Sequence, residues 1–515
     1  MDVATESERK YQTPKKFTFP DLAGLAKKAG ITQCGDVATH ELDATYFDTE
    51  DLRLARNRIT LRRRSGGTDE GWHLKTPGGG DDRTEHRLPL TDDEQVPDEL
   101  LALVRAVVRD RPLRPVARLR TRRREYPLQD ETGRVLALLA DDRVHADAFD
   151  QQQNWREVEV ELVEGDRPVL KALDKRLRAA GAAPATGPSK LARALGDRLS
   201  QRPPAAGADG KQPRAVRAVV AYVREQRDAI IANDAAVRRG DPAAVHAMRV
   251  ATRRLRSTFR TFRGGLWERE RTEALRGELS WLADKLGGVR DRQVMAARLH
   301  KAVAAEPPEV VVGPVDERIA EQLDSDLQDG RQELDRALGE ARYFALLDEL
   351  DRLVDDPPAT GVRGRWVRRK AVGPLRRADD LLDQATAPAG AAQEADPEAA
   401  SDREHDRNEH LHDARKAYKQ ARYAVEVFVP LEGAPARQLV KRLVALQDVL
   451  GDHQDSVITG ELLREYADRA HTAGESAFTY GVLYARQQAA GEAVLARLPE
   501  TRHAAASRKL RSWLR

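Results

Sequence analysis

Glu6, Glu8 and Lys10 stand two residues apart near the start of the chain, and Glu157, Glu159 and Glu161 repeat that spacing in the stretch REVEVELVEG. Alternate side chains of a strand share a face, so each triplet would present its charges together. Carboxylates grouped in this way suit Mg²⁺ or Mn²⁺, which prefer hard oxygen ligands, while guanidinium and ammonium groups on the same cavity would clamp phosphate oxygens. Such cations are supplied by the same alternation: Arg58, Arg62 and Arg64 in NRITLRRR, His73 and Lys75 in GWHLKTP, Arg83 and Arg87 around Glu85, and Arg118, Arg120, Arg122 and Arg124 in ARLRTRRREYPL. A strand charged on one face and apolar on the other normally turns its charges to water. When most strands share the pattern, closure with the charges inward becomes an equal alternative and gives a barrel lined by both signs.

A second chemistry sits on helices. In HAMRVATRRLRSTFRTFR, Arg249, Arg253, Arg256, Arg260 and Arg263 follow one another at spacings of four, three, four and three, which stacks them on one helical face with His246 a turn above. Met248, Leu255, Phe259 and Phe262 form the apolar stripe beside it. The chain repeats the device from His412, where Arg415, Lys419 and Arg422 keep the register and Ala414, Ala421, Val425 and Phe428 supply the stripe. Each copy is followed by a Leu-Gly motif, LGGVRDRQV and LGDHQDSVI, which predicts a turn bearing Asp291 or Asp455. Like charges at this spacing repel, and neither cationic row is interrupted by acids, so a polyanion is the expected counter-charge.

The elements that must position these groups fall into two regions. Residues 1–200 read as mostly strand; 201–214, rich in Pro, Gly and Ala, read as a linker; 215–515 change to helical periodicity. Asp241-Pro242 should open the His246 helix. Residues near 305–317 should form a loop, and the acidic, low-complexity stretch near 387–409 should be structureless. A composition 40% hydrophobic and 33% charged fits a soluble protein, and a net charge of +3 places the basic character in local clusters. No apolar run suits a membrane, and the single cysteine, Cys34, excludes a disulfide framework; a cytoplasmic protein is expected.

The ordered set Glu6-x-Glu8-x-Lys10, Leu61-Arg62-x-Arg64, Trp72-x-Leu-Lys75, Arg83-x-Glu85 and EVEVEL resembles the CYTH domain of the triphosphate tunnel metalloenzymes. The resemblance implies an α+β N-terminal domain built on an eight-stranded antiparallel tunnel that hydrolyses a triphosphate with Mg²⁺ or Mn²⁺. It implies Glu6, Glu8, Lys10, Glu85 and Asp142 as the catalytic set, and Glu6, Glu8, Glu157, Glu159 and Glu161 as metal ligands. Arg62, Arg64, Lys75, Lys190 and, from a strand of ambiguous register, Arg120 and Arg123 would bind substrate. Outward-facing Ser7 and Arg9 depart from the usual apolar pattern of the first strand, and Arg63 is left with no tunnel role.

The duplicated His246 and His412 motifs resemble the CHAD domain. That implies an all-α domain of two pseudo-symmetric four-helix bundles binding inorganic polyphosphate through His246, Arg249, Arg253, Arg254 and Arg256 and through His412, Arg415, Lys416, Lys419 and Arg422. A metal site at His405, His410 and His412 is disfavoured by the surrounding cations. Nucleic acid is disfavoured by an aromatic content of only 5%, too little to interleave with the arginines. The expected function is hydrolysis of tripolyphosphate or polyphosphate ends, with the helical domain holding the polymer, in the cytoplasm or at polyphosphate granules. The alternatives are a non-catalytic granule-binding protein and a hydrolase of an organic triphosphate.

Overall fold

The computed structural model describes residues 1–14, 17–20, 29–77, 82–185, 187, 189–200, 212–355, 361–387 and 397–514, without the side chains of Thr5, Ser200 and 397–403. It divides into two compact units, Met1–Pro203 and Pro204–Arg515. Residues 201–211, most of the expected linker, lie outside the described residues.

The first unit contains strands β1 (Asp2–Gln12), β2 (Gln33–Cys34), β3 (Ala38–Asp48), β4 (Thr60–Ser65), β5 (Gly71–Pro77), β6 (Asp82–Leu88), β7 (Arg114–Gln129), β8 (Val135–Ala148), β9 (Gln151–Leu162) and β10 (Ala183–Pro184). The eight longer strands pair antiparallel in the order β1-β6-β5-β4-β3-β7-β8-β9, and β9 returns to β1 through Glu8↔Glu161 and Lys10↔Glu159. The sheet is thus a closed barrel. Gly66 makes the β4–β5 turn possible: its φ is +79°, and a Cβ there would sit 2.2 Å from the Glu41 carbonyl oxygen on β3.

Helices α1 (Arg53–Arg56), α2 (Asp98–Val108), α3 (Arg167–Ala179), α4 (Lys190–Leu195) and α5 (Asp197–Ser200) accompany the barrel. Alternation decides what each covers. Val158 and Val160, on the opposite face of β9 from its glutamates, pack with Leu170, Leu173 and Leu177 of α3 outside the barrel. The polar outward residues of β1 also find partners, Ser7 donating to Asp82 and Arg9 lying 3.5 Å from Asp174 of α3. On the inner face, Ala44, Leu119, Val144, Ala146 and Trp155 pack with Leu191, Ala194 and Leu195 of α4, so one end of the interior is an apolar plug. Ser189 caps α4 by accepting from the Ala192 amide at 3.0 Å, which fixes where that helix starts.

The second unit runs through α6 (Arg214–Arg238), α7 (Pro242–Thr261), α8 (Arg269–Ala304), α9 (Val315–Gly339), α10 (Ala341–Asp355), α11 (Gly364–Ala385), α12 (Pro397–Glu426), α13 (Val429–Glu432), α14 (Ala434–Thr472), α15 (Phe478–Leu495), α16 (Leu498–Ala505) and α17 (Arg508–Arg511). Asp241 caps α7 through the Ala243 amide at 2.8 Å with Pro242 as the first helical residue, as the sequence predicts. Met248, Leu255, Phe259 and Phe262 are buried, as are Ala414, Ala421, Val425 and Phe428.

Two sequence expectations are corrected. The Leu-Gly motifs are not turns: Leu286-Gly287 and Leu450-Gly451 lie inside the long helices α8 and α14. Their glycines provide room for arginine, since a Cβ at Gly451 would meet Arg415 Nη2 at 3.2 Å and one at Gly287 would meet Arg249 Nη2 at 3.7 Å. The acidic stretch is not structureless through 409 either. Residues 388–396 lie outside the described residues, but α12 begins at Pro397, so His405 and His410 stand on a helix, with several good helix formers between them and the motif.

Phe428 is fully buried. Phe428→Ala should cost about 3–5 kcal/mol of stability, read by urea denaturation followed at the helical circular-dichroism band; a loss near zero would remove the stripe from the core.

Candidate active site and basic helical rails

The charged faces of β1, β4, β5, β6 and β9 meet inside the barrel. Two clusters form there. In the first, Lys190, at the opening of α4, places Nζ 2.9 Å from Asp142, 2.8 Å from Glu157 and 2.7 Å from Glu159. Lys10 Nζ is 2.9 Å from Glu159 and 3.1 Å from Glu8. Arg123 donates through Nε to Asp142 at 2.8 Å and through Nη2 to Glu159 at 2.6 Å. In the second cluster Lys75 and Arg87 donate to Glu6, the latter at 3.1 Å, while Arg87 also binds Glu85. Glu85 lies 2.9 Å from His73 Nδ1 and 3.5 Å from Lys75.

Burial alone would neutralise such groups, and the cations reverse it for most. Burial raises the Glu159 pKa, but Lys10, Lys190 and Arg123 outweigh it and hold the carboxyl well below its usual range; Asp142 is likewise lowered by Lys190 and Arg123 against its own burial. Lys190 is raised well above the ordinary lysine value by the three carboxylates, again against burial. Glu6 differs: burial pushes it up to about 7, with Lys75 only partly opposing. Burial also raises Glu161, which sits across from Glu8.

The residues fit both a cation and an anion. Asp142, Glu157 and Glu159 each offer a carboxylate oxygen within 4.8 Å of the others, the one such acidic group among the described residues. The Oε1 atoms of Glu157 and Glu159 touch Lys190 yet accept no properly directed hydrogen bond, so hard oxygen lone pairs remain for a metal. In the same interior, the buried Nε atoms of Arg62 and Arg64 have no acceptor among the described residues. Arg62 Nη1 reaches only the Tyr46 hydroxyl, at 3.3 Å, and Arg64 is tied to Asp69. Burial, then Arg62 and Arg123, bring Arg64 down to about 9. Unmatched buried donors ask for an anion.

Glu6, Glu8, Lys10, Arg62, Arg64, Lys75, Glu85, Arg123, Asp142, Glu157, Glu159, Glu161 and Lys190 therefore share one interior. Arg120 does not. It lies on the outer face of β7 with Arg118, Arg122 and Arg124, more than half exposed and 4.0 Å from Asp43. The rule that charged faces turn inward fails on β7 because its inner face carries Leu119, Thr121 and Arg123, leaving the arginine-rich face to water. Arg63 likewise points away, to the Thr91 carbonyl. The implied ligand set is also redistributed: Asp142 joins Glu157 and Glu159, whereas Glu6 sits in the Lys75–Arg87 cluster. Arg87, marked by the alternation of β6 but given no role by the resemblance, joins the second cluster; Tyr46 was missed, and nothing in the sequence marks it.

In the helical unit α7 and α12 bring the two cationic rows together. Arg249 donates to Asp291 of α8 at 2.6 Å, and its counterpart Arg415 lies 3.6 Å from Asp455 of α14. Arg253 and Lys419 make no ion pair with a described residue, and each lies in the field of Arg249 and Arg415. Burial, with Arg253, Arg415 and Arg249, pushes Lys419 down to about 7. Burial and neighbouring cations also lower His246 and His412. Arg256 is half-buried and lies in this row, while Arg422 is 3.6 Å from Glu426. Two of the residues implied as binding polyphosphate stand apart from the rows: Arg254 is held by Glu426 at 3.0 Å over the Tyr423 ring, and Lys416 points outward beside Asp413.

A closed barrel with inward carboxylates and guanidinium groups, followed by a duplicated helical unit with paired cationic rows, defines a two-domain tunnel protein. The chain belongs to the CYTH–CHAD family: a CYTH domain matches residues 4–194 and a CHAD domain residues 221–464. It is 39% identical over 499 residues to an uncharacterized protein of Mycobacterium tuberculosis, covering 94% of this chain and 92% of the relative, and 38% identical over the same length to the version from a second strain. Among solved structures, PptA of Streptomyces chartreusis shares 20% identity over 56% of this chain and 99% of its own, with a TM-score of 0.45. A protein of Pyrococcus horikoshii shares 14% over 38% and 99%, at 0.23. At those values neither carries weight for function. CYTH proteins are triphosphate tunnel enzymes, triphosphatases and cyclases, that use divalent metals.

Arg62→Gln should weaken metal-free tripolyphosphate binding by roughly thirtyfold, about 2 kcal/mol, while Arg120→Gln should stay within about twofold. Equal losses in a titration calorimeter would place both arginines at the ligand and contradict the β7 register.

Proposed function

We propose that the barrel hydrolyses inorganic tripolyphosphate, or the ends of longer polyphosphate, and that the helical unit binds the polymer. The observation that carries the first claim is the grouping of Asp142, Glu157 and Glu159, the last two with Oε1 atoms that accept no directed hydrogen bond, in one interior with the Nε atoms of Arg62 and Arg64, which have no acceptor among the described residues. Asp142, Glu157 and Glu159 would hold Mg²⁺ or Mn²⁺, which supplies charge neutralisation at the phosphate oxygens and a more acidic water.

The chain's own residues do the rest. Arg62, Arg64 and Arg123 bind the phosphate oxygens, and their fixed positions orient the terminal phosphoryl group for in-line displacement. Lys10, Lys75 and Lys190 exchange carboxylate partners for phosphate, which leaves the acids free. Glu6, with its pKa brought near neutrality, accepts the proton of the attacking water, whose oxygen forms the new P–O bond as the bridging bond breaks. An inorganic substrate is favoured by the company of the helical unit: cationic rows without exposed aromatics suit a polymer that has charge and no base. Holding the polymer on the same chain raises its concentration near the barrel.

Phosphate release from tripolyphosphate with Mg²⁺ or Mn²⁺ tests the enzyme reading. It should fall at least a hundredfold in Glu157→Gln/Glu159→Gln and in Glu6→Ala/Glu8→Ala, with long-chain polyphosphate binding retained. Absence of release from the folded wild-type protein with either metal would leave a polyphosphate-binding protein without this activity.

The rails carry a separate pH expectation. A bound polyanion raises the Lys419 pKa from its free value of about 7, so the complex takes up a proton wherever the free lysine is neutral and the bound one charged. Affinity should therefore be full below pH 7 and decline as pH rises above it. Lys419→Arg keeps its charge throughout and should flatten the decline between pH 7 and 9. A profile identical to wild type in polyphosphate titrations would show that Lys419 is not at the ligand.

A further inference from the structure

A cavity of about 470 Å³ lies between the first turns of α11 and the α7–α8 connection, two residues past Arg263 at the end of the α7 row. Its lining among the described residues is Gly265, Gly361, Val362, Arg363, Arg365, Trp366 and Arg369, three arginines and an indole with no described carboxylate. Arg363, Arg365 and Arg369 make no hydrogen bond or ion pair through their side chains with a described residue, whereas the neighbouring Arg368 is committed to Glu432. Arg363 is also the N-cap of α11, a helix of 22 residues whose first turn receives no side-chain cap. The helix start adds partial positive charge to the three guanidinium groups.

The aromatic wall is built rather than incidental. Trp366 is half-buried, and a Cβ at Gly265 would lie 2.2 Å from its Cη2 atom, so the ring rests on the one residue type that leaves it room. Lys370 Nζ lies 5.4 Å from the ring centroid. Polyphosphate has no use for an indole. A ligand with a flat apolar part and an anionic end matches both halves of the cavity, and its volume suits a molecule of mononucleotide size.

We propose that this cavity binds a nucleotide, with the base stacked on Trp366 and the phosphates against Arg363, Arg365 and Arg369. Base–aromatic stacking tolerates any base and is strengthened by flanking cations, so recognition is of the nucleotide class rather than one base. The lining shares no residue with the barrel interior or with the His246 and His412 motifs, and the assignment holds whether or not the chain hydrolyses tripolyphosphate.

ADP titrated into the full chain in metal-free buffer tests the proposal, with inorganic pyrophosphate as the base-free control. Trp366→Ala should weaken ADP binding by roughly tenfold or more and leave pyrophosphate binding unchanged. Arg363→Gln/Arg369→Gln should weaken both, and Trp366→Phe should retain ADP. Tripolyphosphate binding in the barrel should not change in any of them. ADP binding unaltered by the Trp366 and arginine variants would overturn the assignment; ADP and pyrophosphate binding both weakened by the arginine variant, with Trp366→Ala leaving ADP binding unchanged, would make the cavity a simple anion patch and overturn it as well. Should Trp366→Ala lower the melting temperature substantially, the exposed arginine pair, which carries no core packing, decides the question alone.

Discussion

Charge neutrality inside a closed barrel is the constraint on which the first unit depends. An isolated charge removed from water costs several kcal/mol even after relaxation, so each inward carboxylate must meet a cation. The pairing is consequently local and dense: Lys190 against Asp142, Glu157 and Glu159, Lys10 against Glu8 and Glu159, Lys75 and Arg87 against Glu6. This arrangement is already half of a binding site. Under the proposed function, a polyphosphate anion and a divalent cation are together the same kind of mutual compensation and would replace lysine–carboxylate pairs without leaving either sign bare. Where the internal compensation is incomplete, at the Nε atoms of Arg62 and Arg64, the interior already has an appetite for an anion.

The helical unit meets the opposite problem with a different device. Its central cations, Arg253 and Lys419, face other cations rather than acids, while Arg249, Arg415 and Arg422 lean on carboxylates, Asp291, Asp455 and Glu426. Burial, reinforced by the neighbouring cations, favours the neutral forms, bringing Lys419 down to about 7 and lowering both motif histidines. Apolar packing of α7 and α12 holds the rows in place against that repulsion, as the full burial of Met248, Leu255, Phe259 and Phe428 attests. Repulsion offset by packing is what the proposed polyanion would relieve on binding.

Much of this was legible because two periods, two and 3.6, are written into the charge pattern. The strand alternation located Glu6, Glu8, Lys10 and the REVEVEL glutamates, and the helix spacing located both cationic rows together with their apolar stripes. What misled was identical local pattern with different surroundings. Arg120 and Arg62 alternate alike, but only tertiary packing decides which face of β7 is lined by Leu119 and Thr121. The Leu-Gly motifs looked like turns because glycine commonly ends helices, yet Gly287 and Gly451 serve a side chain arriving from another helix, a need no local sequence reveals. The grouping of Asp142 with Glu157 and Glu159 also required the β8–β9 register, Asp142↔Glu157, which alternation alone does not provide.

Lys190 shows how the apolar and charged parts of the barrel depend on each other. It is the first residue of a six-residue helix, too short to persist by its own hydrogen bonds. What holds α4 is the Ser189 cap at one end and the seating of Leu191, Ala194 and Leu195 among Leu119, Val144 and Trp155. Trp155 in turn donates its indole N–H to Glu157 at 2.7 Å, within the acidic cluster. The plug therefore does more than close an end of the interior: it aims an ammonium group into the carboxylates and fixes one of those carboxylates from below. A change confined to the plug, far from any phosphate, would move Lys190 and Glu157 together, so the geometry of the charged site is set by a hydrophobic contact.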